Sequence, residues 1–206
     1  MRNSRTLARL LPSDFFSGPQ VAIISGHRGF DSGAMCKDGL MEALVNEEIA
    51  TRVVALLREE GVSAMLFNEY DSRLQGLHAR ALVSIHADSC IEQSGFKVAS
   101  AEATVIPEED QLLVSCLREK YSEATGLAFR PTAITKDMTH YHAFQRVADD
   151  TPGAIIETGY LGGDRDLLVN ESDKVARAIV AGVICFLDKQ DELLKTPSST
   201  GYSSGK

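Results

Sequence analysis

Short apolar runs alternate with longer helical patterns along most of this chain, and that alternation is the feature that most constrains the fold. Strand-like runs at 20–26, 63–68 and 80–88 are separated first by a helical pattern over 39–60. A strand, a long helix and a second strand in this order are typical of a right-handed crossover between parallel strands. The pattern predicts an α/β fold of three layers, with a mostly parallel central sheet and helices on both faces.

The second half of the chain continues the alternation. A weaker strand pattern at 95–100 is typical of a sheet edge, and a helix is predicted to begin at Pro107 and to stop at Gly126. A strong apolar strand follows at 153–160, and a last amphipathic helix covers about 171–187. We therefore expect three regions: an N-terminal extension over 1–19, one α/β domain over 20–188 and a disordered polar tail over 189–206.

Charge and hydropathy exclude two classes of protein. The chain has 206 residues and a formal net charge of -8, whereas a general nucleic-acid binder needs a surplus of Lys and Arg. No apolar stretch reaches the roughly 18 residues that a membrane span requires. Arg9 interrupts the only apolar run near the N-terminus, so no signal-peptide core is visible. We expect neither nucleic-acid binding nor a membrane span.

The four cysteines are too widely spaced for a CxxC-type metal or redox motif. Cys116 and Cys185 lie within helical apolar patterns, which predicts that both are core residues. Cys36 and Cys90 lie in loops that we expect to border one common site. The sequence leaves open whether these two form a disulfide.

Three polar residues interrupt apolar patterns. His27 follows the first strand and His86 lies near the carboxyl end of the third, so both are expected at the same edge of a parallel sheet. Glu42 continues the apolar stripe of the first helix, on the same side as Val45, Ile49, Val53 and Leu56. A buried carboxylate needs a partner. That partner is either a metal ion or a basic residue such as Arg28, and His86 taken alone could be a hydrogen-bonded core histidine.

Taken together, two imidazoles and one carboxylate are the ligand set of a catalytic zinc site that keeps its fourth position for water. Their spacing is unlike the compact HExxH motif, which excludes a common class of metalloprotease. Glu157 interrupts the apolar strand at 153–160 close to its carboxyl end. It is either a structural ion-pair partner or a base beside the metal.

Four segments of the chain resemble the zinc-dependent N-acetylmuramoyl-L-alanine amidases of the amidase 3 family. They are GHRGFDSGA, GLMEALVNEEIATRV, VSIHAD and PGAIIETGYLGG, which stand in the family's order between residues 21 and 163. The resemblance implies a phosphorylase/hydrolase-like fold, so that residues 20–188 are the catalytic domain. It also implies cleavage of the amide between the lactyl group of N-acetylmuramic acid and the L-alanine of the stem peptide.

The resemblance further implies one Zn²⁺ per chain, held by His27, Glu42 and His86, with Glu157 as the catalytic acid/base. Peptidoglycan or muropeptides are then the partner, and the cell envelope, periplasmic or extracellular, is the expected location. The sequence does not show whether an activator protein is needed. Five further residues are candidates for orienting the metal ligands or binding substrate: Arg28, which replaces a glycine of the family motif, Asp31, Asp88, His140 and His142.

Two alternatives remain open at this point. The first is another zinc peptidase of the carboxypeptidase type, in which Arg28 would hold a terminal carboxylate. The second is a cell-wall binding module that keeps the fold without turnover. Products released from intact peptidoglycan and the zinc content of the purified protein distinguish among these possibilities.

Overall fold

The computed structural model describes residues 19–195. Five strands form one sheet: β1 (Val21–Ser25), β2 (Ala64–Phe67), β3 (Ala81–Asp88), β4 (Lys97–Ala99) and β5 (Gly153–Tyr160). The helices are α1 (Glu42–Glu59), α2 (Pro107–Thr125), the short α3 (Lys136–Thr139) and α4 (Arg165–Asn170), and α5 (Ser172–Lys195). Three 3₁₀ turns occupy Ser72–Leu74, Pro131–Ala133 and His142–Gln145.

The strand order across the sheet is β2-β1-β3-β5-β4. The first four strands of that order are parallel, and β4 is an antiparallel edge strand beside β5. The prediction of a mostly parallel α/β sheet is therefore confirmed. Because β1, β2, β3 and β5 end at one edge, the loops that follow them meet there, as ligand sites in such sheets require.

The two faces of the sheet are covered differently. The three long helices α1, α2 and α5 pack on one face, where Ile23, Val83 and Ile156 contribute to a large apolar core. The second face presents Ile24, Leu82 and Ile155 to a smaller cluster that is covered by α3 and by the 3₁₀ turn at His142–Gln145. The expected third layer is thus built from short helical turns within 131–147.

Most element boundaries agree with the sequence patterns, with a few differences. Gly126 ends α2 with a left-handed φ of 77°, as expected for a helix stop. The last helix continues to Lys195, so residues 189–195 are helical and not part of a disordered tail. The rest of the predicted tail and nearly all of the N-terminal extension lie outside the described residues. Within 19–195, no helix combines the length and the apolar composition needed to cross a membrane.

All four cysteines are paired. Cys116 and Cys185 do lie in the core between α2 and α5, but their sulfurs also form a disulfide, with Cα atoms 5.8 Å apart. The sequence did not predict this bond, because the register between two helices is set by packing. Cys36 and Cys90 form the second disulfide, with Cα atoms 5.5 Å apart.

Candidate metal centre

His27, Glu42 and His86 converge at the carboxyl edge of the sheet. One ligand atom from each lies within 4.8 Å of the other two. Glu42 Oε1 lies 3.2 Å from His27 Nε2 and 3.3 Å from His86 Nδ1, so the carboxylate stands between the two imidazoles. The rings approach edge to face with centroids 5.0 Å apart.

Three different elements place these side chains. His86 is on β3, His27 follows the end of the neighbouring β1, and Glu42 is the first residue of α1. The parallel pairing of β1 and β3 brings the two histidines to the same level. Glu42 is only 5% exposed, in agreement with its place on the apolar stripe of α1.

Glycines allow the loop after β1 to pass close to the ligands. A Cβ at Gly26 would lie 2.4 Å from the ring of His86. A Cβ at Gly33 would lie 2.6 Å from Glu42 Oε2 and 2.7 Å from the ring of His27. Gly33 also has a positive φ of 58°, which other residues rarely adopt. No larger side chain fits at either position without displacing a candidate ligand.

Arg28, the basic residue considered as an alternative partner of Glu42, does not pair with it. Arg28 donates from Nε to Glu47 at 2.8 Å and from Nη1 to Asn68 at 2.8 Å, away from Glu42. The other contacts of Glu42 are donors, namely the backbone N–H groups of Ala34 at 3.0 Å and Ala87 at 3.3 Å and the side-chain amide of Asn46 at 3.2 Å.

Asp31 contacts the outer nitrogen of His27. Its Oδ1 lies 2.5 Å from His27 Nδ1 and also accepts from the backbone N–H of Gly33 at 2.9 Å. A carboxylate in this position fixes the ring orientation and tautomer and leaves Nε2 facing Glu42. This is the arrangement anticipated for Asp31.

Glu69 is an additional site residue that the sequence patterns did not indicate. It is 5% exposed, and its Oε2 accepts from the backbone N–H of His27 at 2.7 Å. Its Oε1 accepts from the hydroxyl of Tyr141 at 2.8 Å and lies 2.7 Å from His142 Nε2. The same carboxylate lies 3.6 Å from His86 Nε2. Glu69 therefore holds the backbone of His27 and lies beside the ring of His86.

Glu157 lies beside His86 at the same level of the sheet. In the strand register, His86 of β3 is opposite Glu157 of β5, which is opposite Lys97 of β4. Residues directly opposite on adjacent strands point to the same face. Lys97 is buried and bonds Asp88 through Nζ at 2.5 Å. Glu157 thus stands between a candidate metal ligand and a buried ammonium group.

The site is electrostatically suited to a cation. The hydrogen bond to Glu42 is the largest effect on His27 and raises its pKa to about 9. Burial raises the pKa of Glu42, but hydrogen bonds from His27 and His86 outweigh it and hold that pKa well below its usual range. Burial also raises the pKa of Glu157, against the opposing charges of His86 and Lys97. The raised pKa of His27 thus reflects the carboxylates beside it, and the raised pKa of Glu157 reflects burial near other carboxylates.

Five buried side-chain polar atoms have no hydrogen-bond partner among the residues that the structure describes: Ser25 Oγ, Asn46 Oδ1, His86 Nε2, His142 Nδ1 and Glu157 Oε2. Two of them belong to a candidate metal ligand, His86, and to Glu157. Buried polar atoms are usually satisfied, so unpartnered ones indicate a missing ion or water. Two imidazoles and one carboxylate match the ligand set of a zinc site, and the group could bind a metal ion.

The remaining candidates are distributed unevenly. His142 contacts the site residue Glu69. His140, in contrast, is exposed, and its Nδ1 lies 3.0 Å from the backbone carbonyl of Lys136 in the same helical turn. Asp88 bonds Lys97 and the backbone N–H of Ser89 instead of the ring of His86. Asp88 therefore does not orient that histidine in the way expected.

A disulfide borders the centre. Cys36 lies in the loop between His27 and Glu42, and Cys90 lies four residues after His86. The bond joins the two loops that follow the histidine-bearing strands β1 and β3. The segments that carry the candidate ligands are thus covalently linked to each other.

The chain is similar to proteins of one known family. The N-acetylmuramoyl-L-alanine amidase family, amidase 3, matches residues 21–185. A protein of Buchnera aphidicola subsp. Acyrthosiphon pisum, provisionally named N-acetylmuramoyl-L-alanine amidase, is 24% identical over 230 residues. That alignment covers 85% of this chain and 97% of the Buchnera protein.

Solved structures of amidases have a similar fold. The N-acetylmuramoyl-L-alanine amidase AmiC2 of Nostoc punctiforme is 26% identical, with a TM-score of 0.64 over 82% of this chain and 96% of AmiC2. The CwlD amidase of Clostridioides difficile, solved in complex with the GerS lipoprotein, is 18% identical, with a TM-score of 0.64 over 84% of this chain and 100% of CwlD. The chain belongs to the amidase 3 family of N-acetylmuramoyl-L-alanine amidases and is a peptidoglycan hydrolase.

Proposed function

We propose that this amidase is zinc-dependent, with one Zn²⁺ held by His27, Glu42 and His86 and with Glu157 as the catalytic acid/base. The bond to be cleaved is the amide between the lactyl group of N-acetylmuramic acid and L-alanine. The single observation that carries the proposal is the convergence of two imidazoles and one carboxylate within 4.8 Å at the carboxyl edge of the sheet. Zinc at such a site supplies Lewis acidity, which polarises the amide carbonyl and acidifies water.

Glu157 is assigned the proton transfers. It lies opposite His86 in the register, and its Oε2 is buried without a partner among the described residues, so it is free to accept a proton from attacking water. The same carboxyl group then donates that proton to the leaving amine of L-alanine. A pKa raised by burial helps both transfers, because the group must be ionised first and protonated next.

The surrounding residues prepare the site for these steps. Asp31 and Glu69 hold His27, the first through the ring and the second through the backbone N–H. Lys97 balances part of the negative charge near Glu157.

The location follows from the substrate. A cell-wall amidase acts where peptidoglycan is, and we propose that this one works in the periplasm or outside the cell. The alternatives of a carboxypeptidase and a non-catalytic wall-binding module are not favoured, because both the family and the structural relatives are amidases.

The proposal is tested by digesting defined muropeptides with the full chain and identifying the products by mass spectrometry. We expect intact stem peptides that begin with a free L-alanine amine. Glu157→Gln should lower turnover roughly 10²- to 10⁴-fold and retain zinc, because it removes only the acid/base. A matched control, Glu48→Gln, removes a half-exposed carboxylate that pairs with Arg52 along α1 and should keep normal turnover. Loss of single C-terminal residues, or near-normal turnover by Glu157→Gln, would overturn the assignment.

A further inference from the structure

An exposed aromatic ring stands beside the metal centre. Phe30 follows His27 by three residues, and 63% of its surface is exposed. Its ring meets that of Tyr70 edge to face, with centroids 4.6 Å apart. Such a large apolar side chain left in solvent next to a catalytic edge is typical of a contact surface for a ligand.

The loop that carries Phe30 is held in place. The backbone N–H groups of Phe30 and Asp31 both donate to the carbonyl of His27, at 3.0 and 3.1 Å. Gly29 adopts a φ of 75°, and a Cβ there would lie 2.9 Å from the side-chain amide of Asn68. The exposed ring therefore belongs to a tightly packed turn, and its position is fixed relative to His27.

Tyr70 supports Phe30 and is itself supported from behind. His142 stacks on it with centroids 4.1 Å apart and an interplanar angle of 20°, and Arg146 Cζ lies 5.3 Å from its centroid. His142 Nε2 contacts Glu69, the residue that holds the backbone of His27. A continuous series of contacts thus links Phe30 to the metal centre. We call Phe30 and Tyr70 the aromatic platform.

We propose that the aromatic platform binds the apolar face of a pyranose ring of the glycan strand, next to the amide that is cleaved. The carbon-bound hydrogens on one face of an N-acetylated pyranose carry partial positive charge, and the face of an aromatic ring is negative. The inference rests on the proposed function, because the scissile amide joins a sugar to a peptide and the sugar must lie within a few bonds of the metal centre.

Polar groups around Phe30 favour a sugar over an apolar peptide side chain. Asn68 is exposed, its side-chain amide packs against Gly29, and its carbonyl oxygen accepts from Arg28. Arg28 is bound on its other side by Glu47. A flat apolar surface bordered by fixed donors and acceptors matches a pyranose, which has an apolar face and a rim of hydroxyl and acetamido groups. This also gives Arg28 a role, as part of that rim.

The test uses the zinc-loaded full chain and the tetramer of N-acetylglucosamine, which lacks the lactyl amide and so is not hydrolysed. Its Kd is measured by nuclear magnetic resonance titration. Phe30→Ala should weaken binding about 3- to 10-fold, the loss of one aromatic stacking contact. Phe30→Trp should bind at least as well as the wild type. The control Leu193→Ala truncates an equally exposed side chain at the far end of α5 and should not change Kd.

Turnover of a glycan-linked muropeptide gives a second readout. Phe30→Ala should raise KM and leave kcat unchanged, with normal zinc content and circular dichroism. No binding of the tetramer by the wild type, equal Kd values for Phe30→Ala and wild type, or weakened binding only of an L-alanyl peptide would overturn the proposal. A wild-type chain that binds the tetramer but releases no stem peptide would instead contradict the proposed function, so the two failures are distinguishable.

Discussion

His27 has a backbone φ of 65°, the only positive value for a non-glycine residue in the described part of the chain. That conformation costs on the order of 1–3 kcal/mol and persists only where the surroundings enforce it. Glu69 supplies the enforcement, because it accepts from the backbone N–H of His27 while Tyr141 and His142 hold its other oxygen. Burial raises the pKa of Glu69, but the hydrogen bond of His142 and the charge of His86 lead the effects that lower it to about 2.

Replacing Glu69 should therefore weaken metal binding without removing a ligand. Glu69→Gln replaces one carboxylate oxygen with an amide NH₂ group. The side chain then cannot accept both from the backbone of His27 and from Tyr141 and His142, so His27 is held less firmly. We expect zinc affinity to fall about 10- to 100-fold, as for other residues that orient metal ligands. Competition with a chelator of known affinity measures it. Glu48→Gln is the matched control, and if both variants bind zinc as the wild type does, Glu69 has no positioning role.

Gly33 offers a second test at the residue scale. Gly33→Ala introduces a Cβ 2.6 Å from Glu42 Oε2 and also strains a positive φ, so we expect both lower stability and loss of zinc. Gly61→Ala is the control, since Gly61 has a φ of 78° with nothing within 4 Å of its Cβ position. Both should lose about 1 kcal/mol of unfolding free energy from the backbone. Only Gly33→Ala should lose zinc, and a Gly33→Ala protein with full zinc content would show that close packing at Gly33 is not required.

Single residues were predictable where they departed from a pattern. His27, Glu42 and His86 could be found because each interrupts an apolar strand or helix stripe. Glu69 and Tyr141 lie in irregular segments. Such segments have no regular apolar pattern, so a polar residue within them does not stand out. Lys97 could not be placed either, because its position opposite Glu157 depends on the antiparallel register of an edge strand.

At the scale of elements, the two disulfides join different pairs of segments. The Cys36–Cys90 bond ties the loop before α1 to the loop after β3, next to the metal centre, and spans 54 residues. The Cys116–Cys185 bond ties α2 to α5 within the large core and spans 69 residues. Loops of similar length predict similar stabilisation, typically about 2–4 kcal/mol each.

Removing each disulfide should separate stability from metal binding. The double variant Cys36→Ser, Cys90→Ser should lose both stability and zinc retention, because the ligand-bearing loops are no longer linked. The double variant Cys116→Ser, Cys185→Ser should lose comparable stability and keep zinc. Urea unfolding measures the first quantity and zinc release to a chelator the second. Equal zinc release from the two variants would contradict a role for Cys36–Cys90 in holding the centre.

The elements themselves were largely predictable, because a buried strand and an amphipathic helix each impose a period on the sequence. The differences arose where tertiary contacts decide. Nothing in the weak pattern at 95–100 indicates that β4 runs antiparallel to β5. The extension of α5 to Lys195 continues past the last strongly apolar face, into a segment whose polar composition predicted a tail.

At the scale of the whole molecule, one edge of the sheet carries all the chemistry. Four parallel strands end there, and the ends of these strands together with the segments that follow them supply the candidate metal ligands, Glu69, Glu157 and the aromatic platform. The three long helices pack on one face of the sheet. The order of strands along the chain was predictable, and it accounts for the convergence of His27, Glu42 and His86. The contacts by which other residues hold these three side chains were not predictable.

The most direct test of this account is the zinc content of the purified full chain, measured by inductively coupled plasma mass spectrometry. We predict one zinc ion per wild-type chain and one per Glu157→Gln chain, with close to none in His86→Ala, and loss of turnover wherever zinc is lost. Zinc bound to His86→Ala at one ion per chain, or full turnover by a wild-type chain stripped of zinc, would contradict the assignment of His27, Glu42 and His86 as the metal centre.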